Sequence, residues 1–508
     1  MIKSLFKRII IGVGAASVVL LSGCAFNPQT GRPEFSQPLR AQFKNVFDSP
    51  DPCSNNDRNI GMTVGVIVGS VVGYLHNGVK GALVGAAVGT GGGALLGHSL
   101  DQRRCELFKI ALDNHLKLAS ALITIKNIEM MPSKKRADKD TAIGLDVQLQ
   151  NQEGEFVPGT ARLSHKARKY ISSIAEQYVP KRGTGKSETS QDAKINERKV
   201  LIVAHANESL DPHKSARLTE KRAYAVAEVF KKAGVPARNI YYQGAGDTLP
   251  IANNNTAQGL VVNKRLQIVD LPSATDLRHY LQLRQPNGQY FGAAVRRRTN
   301  TRAMPSKKHA KLTHTRKYQK HPGYDFGGTP LAQGAKHPIN LGNPVIHSSF
   351  NIITEAHADE PLVVNSCIYD KPHLARPVRN LETGRKLPIR NYMPGFFGAP
   401  WIGGFHGNLV VIDKAYVPRD SGSPAPRPRL MIYKNYNGNP SANPSYVANV
   451  PVNVYRGDKA MLYRVFVDGP LMCIDFVKPN RPGNADAKLY YTRNSHTYLA
   501  PGAFTLKK

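Results

Sequence analysis

The histidines and cysteines of this 508-residue chain lack the spacings that mark a metal site or a nucleophilic active site. The sequence contains no Gly-x-Ser-x-Gly turn, no His-Glu-x-x-His helix and no Gly-x-x-x-x-Gly-Lys phosphate loop. It also lacks the Cys-x-x-Cys pair that is typical of zinc sites. His205 stands alone beside the end of an apolar run, where a single histidine is usually structural. We therefore expect no enzymatic activity, no metal and no cofactor.

The N-terminus has the features of an export signal. A basic start, ending at Arg8, precedes an apolar run over 9–21, which is short for a membrane span but suits a signal-peptide core. The run ends in Leu-Ser-Gly-Cys, which resembles a bacterial lipoprotein cleavage box. The resemblance implies that residues 1–23 are removed and Cys24 is acylated, and Ala25 in place of Asp implies sorting to the outer membrane. The alternative is an ordinary secretory signal with a chance cysteine.

The remaining cysteines, Cys53, Cys105, Cys367 and Cys473, are even in number. Exported proteins meet an oxidising compartment, so an even number of cysteines favours disulfides. Three pairings are possible. Proximity in sequence favours Cys53 with Cys105 and Cys367 with Cys473, and unpaired buried thiols are the alternative.

The chain is strongly basic, with a net charge of +33 that falls to about +30 without residues 1–23. Such a charge favours anionic partners, namely lipid phosphates, lipopolysaccharide, wall polymers or nucleic acid. Ten Lys or Arg and no acid occupy residues 296–320, a composition that predicts a disordered linker. Tyr318 is the sole aromatic residue there, so base stacking is poorly supported and lipid headgroups are favoured over nucleic acid.

Glycine recurs every fourth residue in two apolar segments. The glycines are Gly61, Gly65, Gly69 and Gly73, then Gly81, Gly85, Gly89, Gly93 and Gly97. This period predicts a hairpin of two glycine-faced helices whose backbones approach closely. Each arm would be about 22–26 Å long, slightly less than a hydrocarbon core of about 30 Å. The segment resembles the glycine zippers of envelope lipoproteins, which implies membrane insertion or self-association, whereas a soluble helical hairpin is the alternative.

Helix and strand patterns alternate in the centre of the chain, and strand patterns dominate its end. Residues 105–128 predict an amphipathic helix. Period-two and apolar runs predict strands at 144–149, 200–203, 240–242 and 266–269, with helices over 164–178 and 216–233 between them. Short β-rich runs over 361–492, with a hairpin signal at 467–469, predict an all-β sandwich.

A string of motifs runs through the central segment in a fixed order. The motifs are Val203-Ala204-His205-Ala206-Asn207, Leu218-Thr219-Glu220-Lys221-Arg222-Ala223, Gly234-Val235-Pro236, Gly244-Ala245-Gly246-Asp247, Pro250-Ile251-Ala252-Asn253 and Asn263-Lys264-Arg265. They resemble the OmpA-like C-terminal domain that OmpA shares with the peptidoglycan-associated lipoproteins. The resemblance covers about a quarter of the chain and implies a β-α-β-α-β fold with one extra strand.

The resemblance also implies a non-covalent site for the diaminopimelate of the peptidoglycan stem peptide. In the family an Asp holds the ammonium of this zwitterion and an Arg holds its carboxylate. The Arg matches Arg222, but the Asp matches Asn207, which carries no charge. Glu208 or Asp211 could supply the anion from the same loop, and Ser215 stands where the family usually has an Asn before the helix. A further family Arg matches Leu260.

The chain is thus predicted to be an α+β multidomain protein, with a glycine-zipper hairpin, a central OmpA-like domain and a C-terminal all-β, sandwich-like domain. The predicted segments are 1–23 signal peptide, 24–58 tether, 59–105 zipper hairpin, 106–141 helix and linker, 142–272 OmpA-like domain, 273–339 helix and basic linker, and 340–508 β-rich domain. The expected function is that of an outer-membrane lipoprotein, mainly periplasmic, that links the membrane to peptidoglycan. Self-association or envelope protein partners are expected. A subunit of an envelope-spanning secretion complex, with a partly degenerate OmpA-like domain, is the alternative.

Overall fold

A computed structural model describes most of the chain beyond residue 100. The described residues are 24–26, 33–35, 100, 102–124, 142–150, 154–180, 197–206, 211–254, 256–284, 290–291, 323–332, 334–343, 361–388, 400–417, 426–481 and 483–507. The predicted signal peptide, the glycine repeat at 61–97 and the basic arm at 296–320 lie outside them, so these predictions are not tested by the structure.

The strands are numbered in chain order. They are β1 (Cys24–Phe26), β2 (Pro33–Phe35), β3 (Lys117–Thr124), β4 (Ala142–Gln150), β5 (Lys199–His205), β6 (Ile240–Gly246), β7 (Arg265–Leu271), β8 (Thr329–Pro330), β9 (Ile339–Asn340), β10 (Val363–Val364), β11 (Arg379–Asn380), β12 (Trp401–Phe405), β13 (Asn408–Asp413), β14 (Arg429–Tyr433), β15 (Tyr446–Asn449), β16 (Val452–Arg456), β17 (Ala460–Phe466), β18 (Cys473–Pro479), β19 (Ala485–Arg493) and β20 (His496–Leu506). The helices are α1 (residues 102–113), α2 (His165–Glu176), α3 (Pro212–Ala233), α4 (Ala257–Asn263) and α5 (Ala274–Leu283).

A six-stranded sheet, in the order β11-β6-β5-β7-β4-β3, forms the centre of the first domain. β5 and β6 are parallel because α3 returns the chain between them, whereas β7 is antiparallel to both β5 and β4. The core of the domain therefore has the predicted β-α-β-α-β order with one extra strand, and the short helix α4 precedes the last strand of that series.

Helices α2 and α3 pack on one face of this sheet. Ser164 caps α2 through its hydroxyl, which accepts the N–H of Ala167 at 3.1 Å. Gly234 ends α3 with a φ of 113°, a left-handed conformation that glycine adopts without a Cβ clash. At Gly244 of β6, a Cβ would lie 2.2 Å from the backbone N of Glu220, so the absence of a side chain lets α3 lie directly on the strand.

The amphipathic helix predicted over residues 105–128 is wrong in its second half. α1 ends at residue 113, and His115 adopts a φ of 52° while the N–H of Leu116 returns to the carbonyl of Ala111 at 2.8 Å. The following residues form β3, which pairs with β4 at the edge of the sheet. Leucines spaced along this segment fit a helix period as well as a half-buried strand, and pairing with β4 decides between them.

The first sheet extends beyond the predicted 142–272 domain at both edges. β3 extends one edge from the N-terminal side, and β11 pairs with β6 at the other edge from more than a hundred residues downstream. α1 is also part of the core, since Leu107 is fully buried with the side chains of α2 and β4. The OmpA-like core is therefore enclosed by segments from both sides of the chain.

A large antiparallel sheet forms the C-terminal domain, in the order β15-β14-β13-β12-β20-β19-β18-β17-β16, and β8 also pairs with β20. The long strand β20 joins the two halves, because it pairs along all of β19 and then with β12. Trp401 of β12 and Phe476 of β18 are not on neighbouring strands, yet their rings are 5.0 Å apart. The sheet therefore folds over itself around one apolar core, in agreement with the predicted all-β domain.

A disulfide joins Cys367 to Cys473 in the C-terminal domain. This is the pairing that proximity in sequence favours. Cys105 is also disulfide-bonded. Its partner is outside the described residues, so a bond between Cys53 and Cys105 stays a prediction.

Candidate ligand-binding site and the domain interface

The predicted site lies where β5 ends and α3 begins. Asn207 and Glu208 fall in the segment 207–210, which lies outside the described residues. Ser215 and Arg222 both belong to α3, so the expectation that Ser215 precedes the helix is wrong: α3 begins at Pro212, after the cap Asp211. Ser215 and Arg222 are seven residues apart, which is about two helical turns, so they share one face of the helix.

Asp211 caps the N-terminus of α3. Its carboxylate accepts the backbone N–H of His213 at 2.8 Å and that of Lys214 at 3.4 Å. Slight burial acts in the opposite direction, but these two N–H groups hold the pKa of Asp211 below its usual value. The carboxylate is thus ionised and caps the helix.

Arg222 is held in a fixed orientation by the segment that precedes α2. Its Nε donates a hydrogen bond to the carbonyl oxygen of Thr160 at 2.9 Å, and its guanidinium lies 4.9 Å from the ring centre of Phe156. The residue is only 6% exposed. These contacts hold the guanidinium in a defined plane, a geometry that suits recognition of a carboxylate.

Ser215 is buried beneath this site rather than displayed in it, with 3% of its surface exposed. Its N–H donates to the carbonyl of Asp211, and its own carbonyl accepts the hydroxyl of Thr219 at 2.9 Å. The hydroxyl oxygen of Thr219 also accepts a hydrogen bond from the N–H of Gly246 at 3.1 Å, which fixes α3 to the end of β6. The backbone of Ser215 therefore contributes to positioning the helix that carries Arg222.

The sequence did not single out Phe156 and Thr160, although both orient Arg222. They lie more than sixty residues before it and belong to a turn with little secondary structure. Phe156 pairs only through an isolated bridge with Leu163. No local periodicity marks such residues, so only the tertiary contact reveals their role.

The opposite face of the first sheet carries a buried polar network. Tyr280 of α5 donates its hydroxyl to the carboxylate of Asp146 at 2.7 Å, and Gln267 donates its amide to the same group at 2.9 Å. His205 lies 3.1 Å from the Gln267 side-chain oxygen, and burial lowers its pKa well below the usual value. His205 is therefore neutral within a structural network, as expected for a single histidine at a strand end.

His373 links the two domains. Its Nδ1 lies 3.0 Å from Asp247, which follows β6, and its Nε2 lies 3.2 Å from Asp370. Phe291 covers the imidazole with a ring-centre distance of 4.4 Å. Burial alone would lower the pKa of His373, but the two carboxylates outweigh it and raise that pKa to about 9. The side chain is thus an imidazolium that bridges two acids.

A second buried cation continues this chain of charges into the C-terminal sheet. Arg464, fully buried in β17, contacts Asp370 at 2.8 Å and Asp475 at 2.6 Å. Asp475 in turn accepts the backbone N–H of Cys367 at 2.9 Å. Asp370 also accepts the hydroxyl of Tyr455 at 2.6 Å. Every charge in the cluster has an opposite partner, which is the condition for burial of ions.

The segment 361–388, which contains His373, also contacts α3. Glu220 forms ion pairs with Arg376 at 2.7 Å and Arg379 at 3.2 Å. The N–H of Arg376 donates to the carbonyl of Gly244 at 2.7 Å, which continues the edge of the sheet. At the start of α3, Arg427 lies 2.7 Å from the Nε2 atom of His213. The C-terminal part therefore contacts the helix that carries Arg222, on a side away from the guanidinium.

Neither a metal cluster nor a membrane-spanning helix is found within the described ranges. No group of three or more His, Cys, Asp or Glu there could hold a metal ion. None of the helices in that part of the chain is long and apolar enough to cross a membrane.

The fold and the motif string define an OmpA-like domain. Residues 155–264 match the model of the OmpA family, and residues 60–104 match a glycine zipper model. The chain therefore contains both an OmpA-like domain and a glycine zipper, which confirms the two resemblances.

Three curated proteins illustrate the likeness. The outer-membrane lipoprotein YfiB of Pseudomonas aeruginosa is 39% identical over 71 residues, which cover 14% of this chain and 42% of that protein. The probable lipoprotein YiaD of Escherichia coli is 34% identical over 73 residues, 14% of this chain and 33% of that protein. Outer membrane protein A of Bordetella avium is 29% identical over 82 residues, 16% of this chain and 42% of that protein. The matches span less than half of each relative.

Two solved structures are similar to part of this chain. The cell wall anchor of the T6SS from Pseudomonas aeruginosa is 17% identical with a TM-score of 0.23, over 33% of this chain and 97% of that chain. The periplasmic domain of Helicobacter pylori MotB (residues 78–256) is 22% identical with a TM-score of 0.21, over 27% of this chain and 80% of that chain.

Proposed function

We propose that this protein is an outer-membrane lipoprotein that binds peptidoglycan without covalent chemistry. The observation that carries the proposal is the geometry of Arg222, whose guanidinium is held against Thr160 and Phe156. A guanidinium fixed in this way needs little reorganisation to bind the side-chain carboxylate of diaminopimelate. The names of YfiB and YiaD, both lipoproteins, support the envelope location.

The cationic half of the ligand needs an anion from this chain. Asn207 stands at the position where the family has Asp, and an amide oxygen accepts a hydrogen bond without supplying charge. Replacing a charged contact by a neutral one costs on the order of 1–2 kcal/mol, roughly a factor of ten in affinity. Since Asp211 caps α3, Glu208 is the acid that we assign to the ammonium, and binding is weaker than with an Asp at 207.

Catalysis is not part of the proposed function. A site that clamps a zwitterion between a cation and an anion holds the wall polymer without breaking bonds. Acylation at Cys24 would hold the other end of the chain in the outer membrane, so that the protein links membrane and wall.

A sedimentation assay with purified sacculi tests this proposal on the full mature chain. Arg222→Ala should lower the bound fraction by about tenfold, and Asn207→Asp should raise affinity by a similar factor. Arg217→Ala is the matched control, because it removes the same charge from an exposed position of the same helix. Equal losses of binding in Arg222→Ala and Arg217→Ala would contradict a specific site. They would show that binding is a non-specific attraction between a basic protein and an anionic polymer.

The alternative function, a structural subunit of an envelope-spanning assembly, is favoured by one observation. The C-terminal domain is fixed to the OmpA-like domain by the buried cluster of His373, Asp247, Asp370 and Arg464. A simple wall anchor does not need a second rigid domain. Protein solubilised from native membranes would migrate as a large defined complex in this case, and as a monomer or dimer if it acts alone.

A further inference from the structure

A narrow cleft lies at the end of the first sheet opposite to Arg222. Arg198 immediately precedes β5, whereas the wall-site loop follows it, so the two sites are separated by the strand, about 20 Å. The polar lining residues of the cleft are Arg103, Tyr178, Arg198, Asn239 and Asp270. The cleft opens to solvent and has an empty volume of about 330 Å³. Its inner, enclosed part has room for about one water-sized group.

The cleft carries an excess of positive charge. Asp270, with 1% of its side chain exposed, pairs with Arg198 at 2.8 Å and also with Arg103. Two guanidinium groups thus face one carboxylate. Lys199 adds a third cation at the rim, where its ammonium donates to the Asn239 side-chain oxygen at 2.6 Å.

Two hydrogen-bond donors in the lining are buried without a partner in the described structure. They are Nη1 of Arg198 and the hydroxyl of Tyr178. The guanidinium of Arg198 cannot turn to satisfy Nη1, because Nε is bound to Asp270 and Nη2 donates to the carbonyl of Ile143 at 3.0 Å. The ring of Tyr178 is covered by the guanidinium of Arg103 at 4.9 Å. Buried donors of this kind are nearly always paired, so an acceptor is expected in the cleft.

We propose that the cleft is an oxyanion subsite that takes one oxygen of a phosphate group, with the remainder of the phosphate outside. The net positive charge favours an anion over water, and the size of the inner space limits entry to a single oxygen. Burial raises the pKa of Tyr178, which keeps its hydroxyl protonated as a donor.

The position of the cleft in the chain suggests where the phosphate comes from. Arg103 lies six residues after Gly97, the last glycine of the zipper repeat, so the two are at most about 20 Å apart. A phospholipid or lipid A headgroup and free phosphate share the required chemistry. A phosphate bound in the cleft would hold the end of the OmpA-like domain that is nearest to the zipper along the chain.

The variant that tests the subsite is Tyr178→Phe, which removes one donor and leaves the net charge unchanged. Thermal unfolding of the full mature chain is followed in inorganic phosphate and in sodium chloride at equal ionic strength. Phosphate should raise the Tm of the wild type more than chloride does, because a ligand of the folded state stabilises it. Tyr178→Phe should weaken the apparent phosphate affinity roughly fivefold, whereas Arg217→Ala should retain it. In phosphate-free buffer Tyr178→Phe should be at least as stable as the wild type.

Two results would overturn the subsite. One is an equal response of the wild type to phosphate and chloride, and the other is an unchanged phosphate response in Tyr178→Phe; either means that the cleft holds water alone. Flotation with vesicles of phosphatidylglycerol in phosphatidylcholine then distinguishes a lipid headgroup from free phosphate as the source of the bound group. Weaker flotation of Tyr178→Phe supports a lipid headgroup, and equal flotation, together with a lost phosphate response, supports free phosphate.

Discussion

Nδ1 of His373 lies 3.0 Å from the carboxylate of Asp247, across the junction of the OmpA-like and C-terminal domains. The other ring nitrogen faces Asp370 at 3.2 Å. The two carboxylates outweigh the effect of burial and raise the pKa of His373 to about 9, so the imidazole is protonated and forms an ion pair with each acid. The two ion pairs of His373 at the junction therefore depend on the protonation of this side chain.

Attachment of the two domains is predicted to weaken at alkaline pH. The pKa of His373 is raised from 6.5 to about 9, so its stabilising contribution is complete below pH 6.5 and is lost as the pH rises to about 9. The loss is on the order of 3 kcal/mol. Urea unfolding at pH 6 and pH 9.5 measures it. His373→Gln should remove most of the difference in unfolding free energy between the two pH values. An unchanged pH dependence in that variant would show that other groups cause the difference.

Arg464 is predicted to be the most sensitive charged residue of the C-terminal domain. Arg464→Ala would leave Asp370 and Asp475 buried without their cation, which typically costs 3–5 kcal/mol. Arg493→Ala is the matched control, because Arg493 is 47% exposed in its pair with Asp325 and should cost about 1 kcal/mol or less. Denaturant unfolding of both variants gives the comparison, and similar costs would contradict a structural role for the buried cluster.

Reduction of the Cys367–Cys473 disulfide is predicted to destabilise the C-terminal domain. The bond joins residues 106 apart in sequence, so it removes much conformational freedom from the unfolded chain. Its loss should cost about 2–4 kcal/mol. Calorimetry of a Cys367→Ser, Cys473→Ser double variant measures this cost without a reductant, which would also act on Cys105. A transition at the wild-type temperature would show that the bond adds no stability.

The contact between α3 and β6 is predicted to tolerate no side chain at Gly244. Gly244→Ala places a Cβ 2.2 Å from the backbone N of Glu220, so helix and strand must separate. Overpacking of this kind costs about 1–3 kcal/mol, and the shift should also weaken wall binding because α3 carries Arg222. Gly404→Ala, where the added Cβ would meet nothing within 4 Å, is the control and should be nearly neutral.

Sequence patterns predicted the elements whose signals are local. α3 and the strands on either side of it follow from a helix period between two apolar runs, and Arg222 was placed on that helix correctly. β3 was assigned to a helix because Leu116, Leu118 and Leu122 suit either structure, and only pairing with β4 distinguishes them.

The junction between the domains was not predictable in the same way. His373 and Asp247 are 126 positions apart, and His373 lies among loop residues without periodicity. The same holds for Phe156 and Thr160, which orient Arg222 from a turn far upstream. Long-range contacts among side chains leave no pattern in a single sequence, whereas the motif string of the OmpA-like domain is local and predicts the position of the candidate site.

The most direct test of wall recognition changes the ligand rather than the protein. Sacculi with diaminopimelate in the stem peptide are compared with sacculi that carry lysine there, which keeps the amine and lacks the carboxylate. The wild-type chain should bind the diaminopimelate form about tenfold more tightly, and Arg222→Ala should lose this preference while Arg217→Ala keeps it. Equal binding of both wall types by the wild-type chain would contradict carboxylate recognition by Arg222.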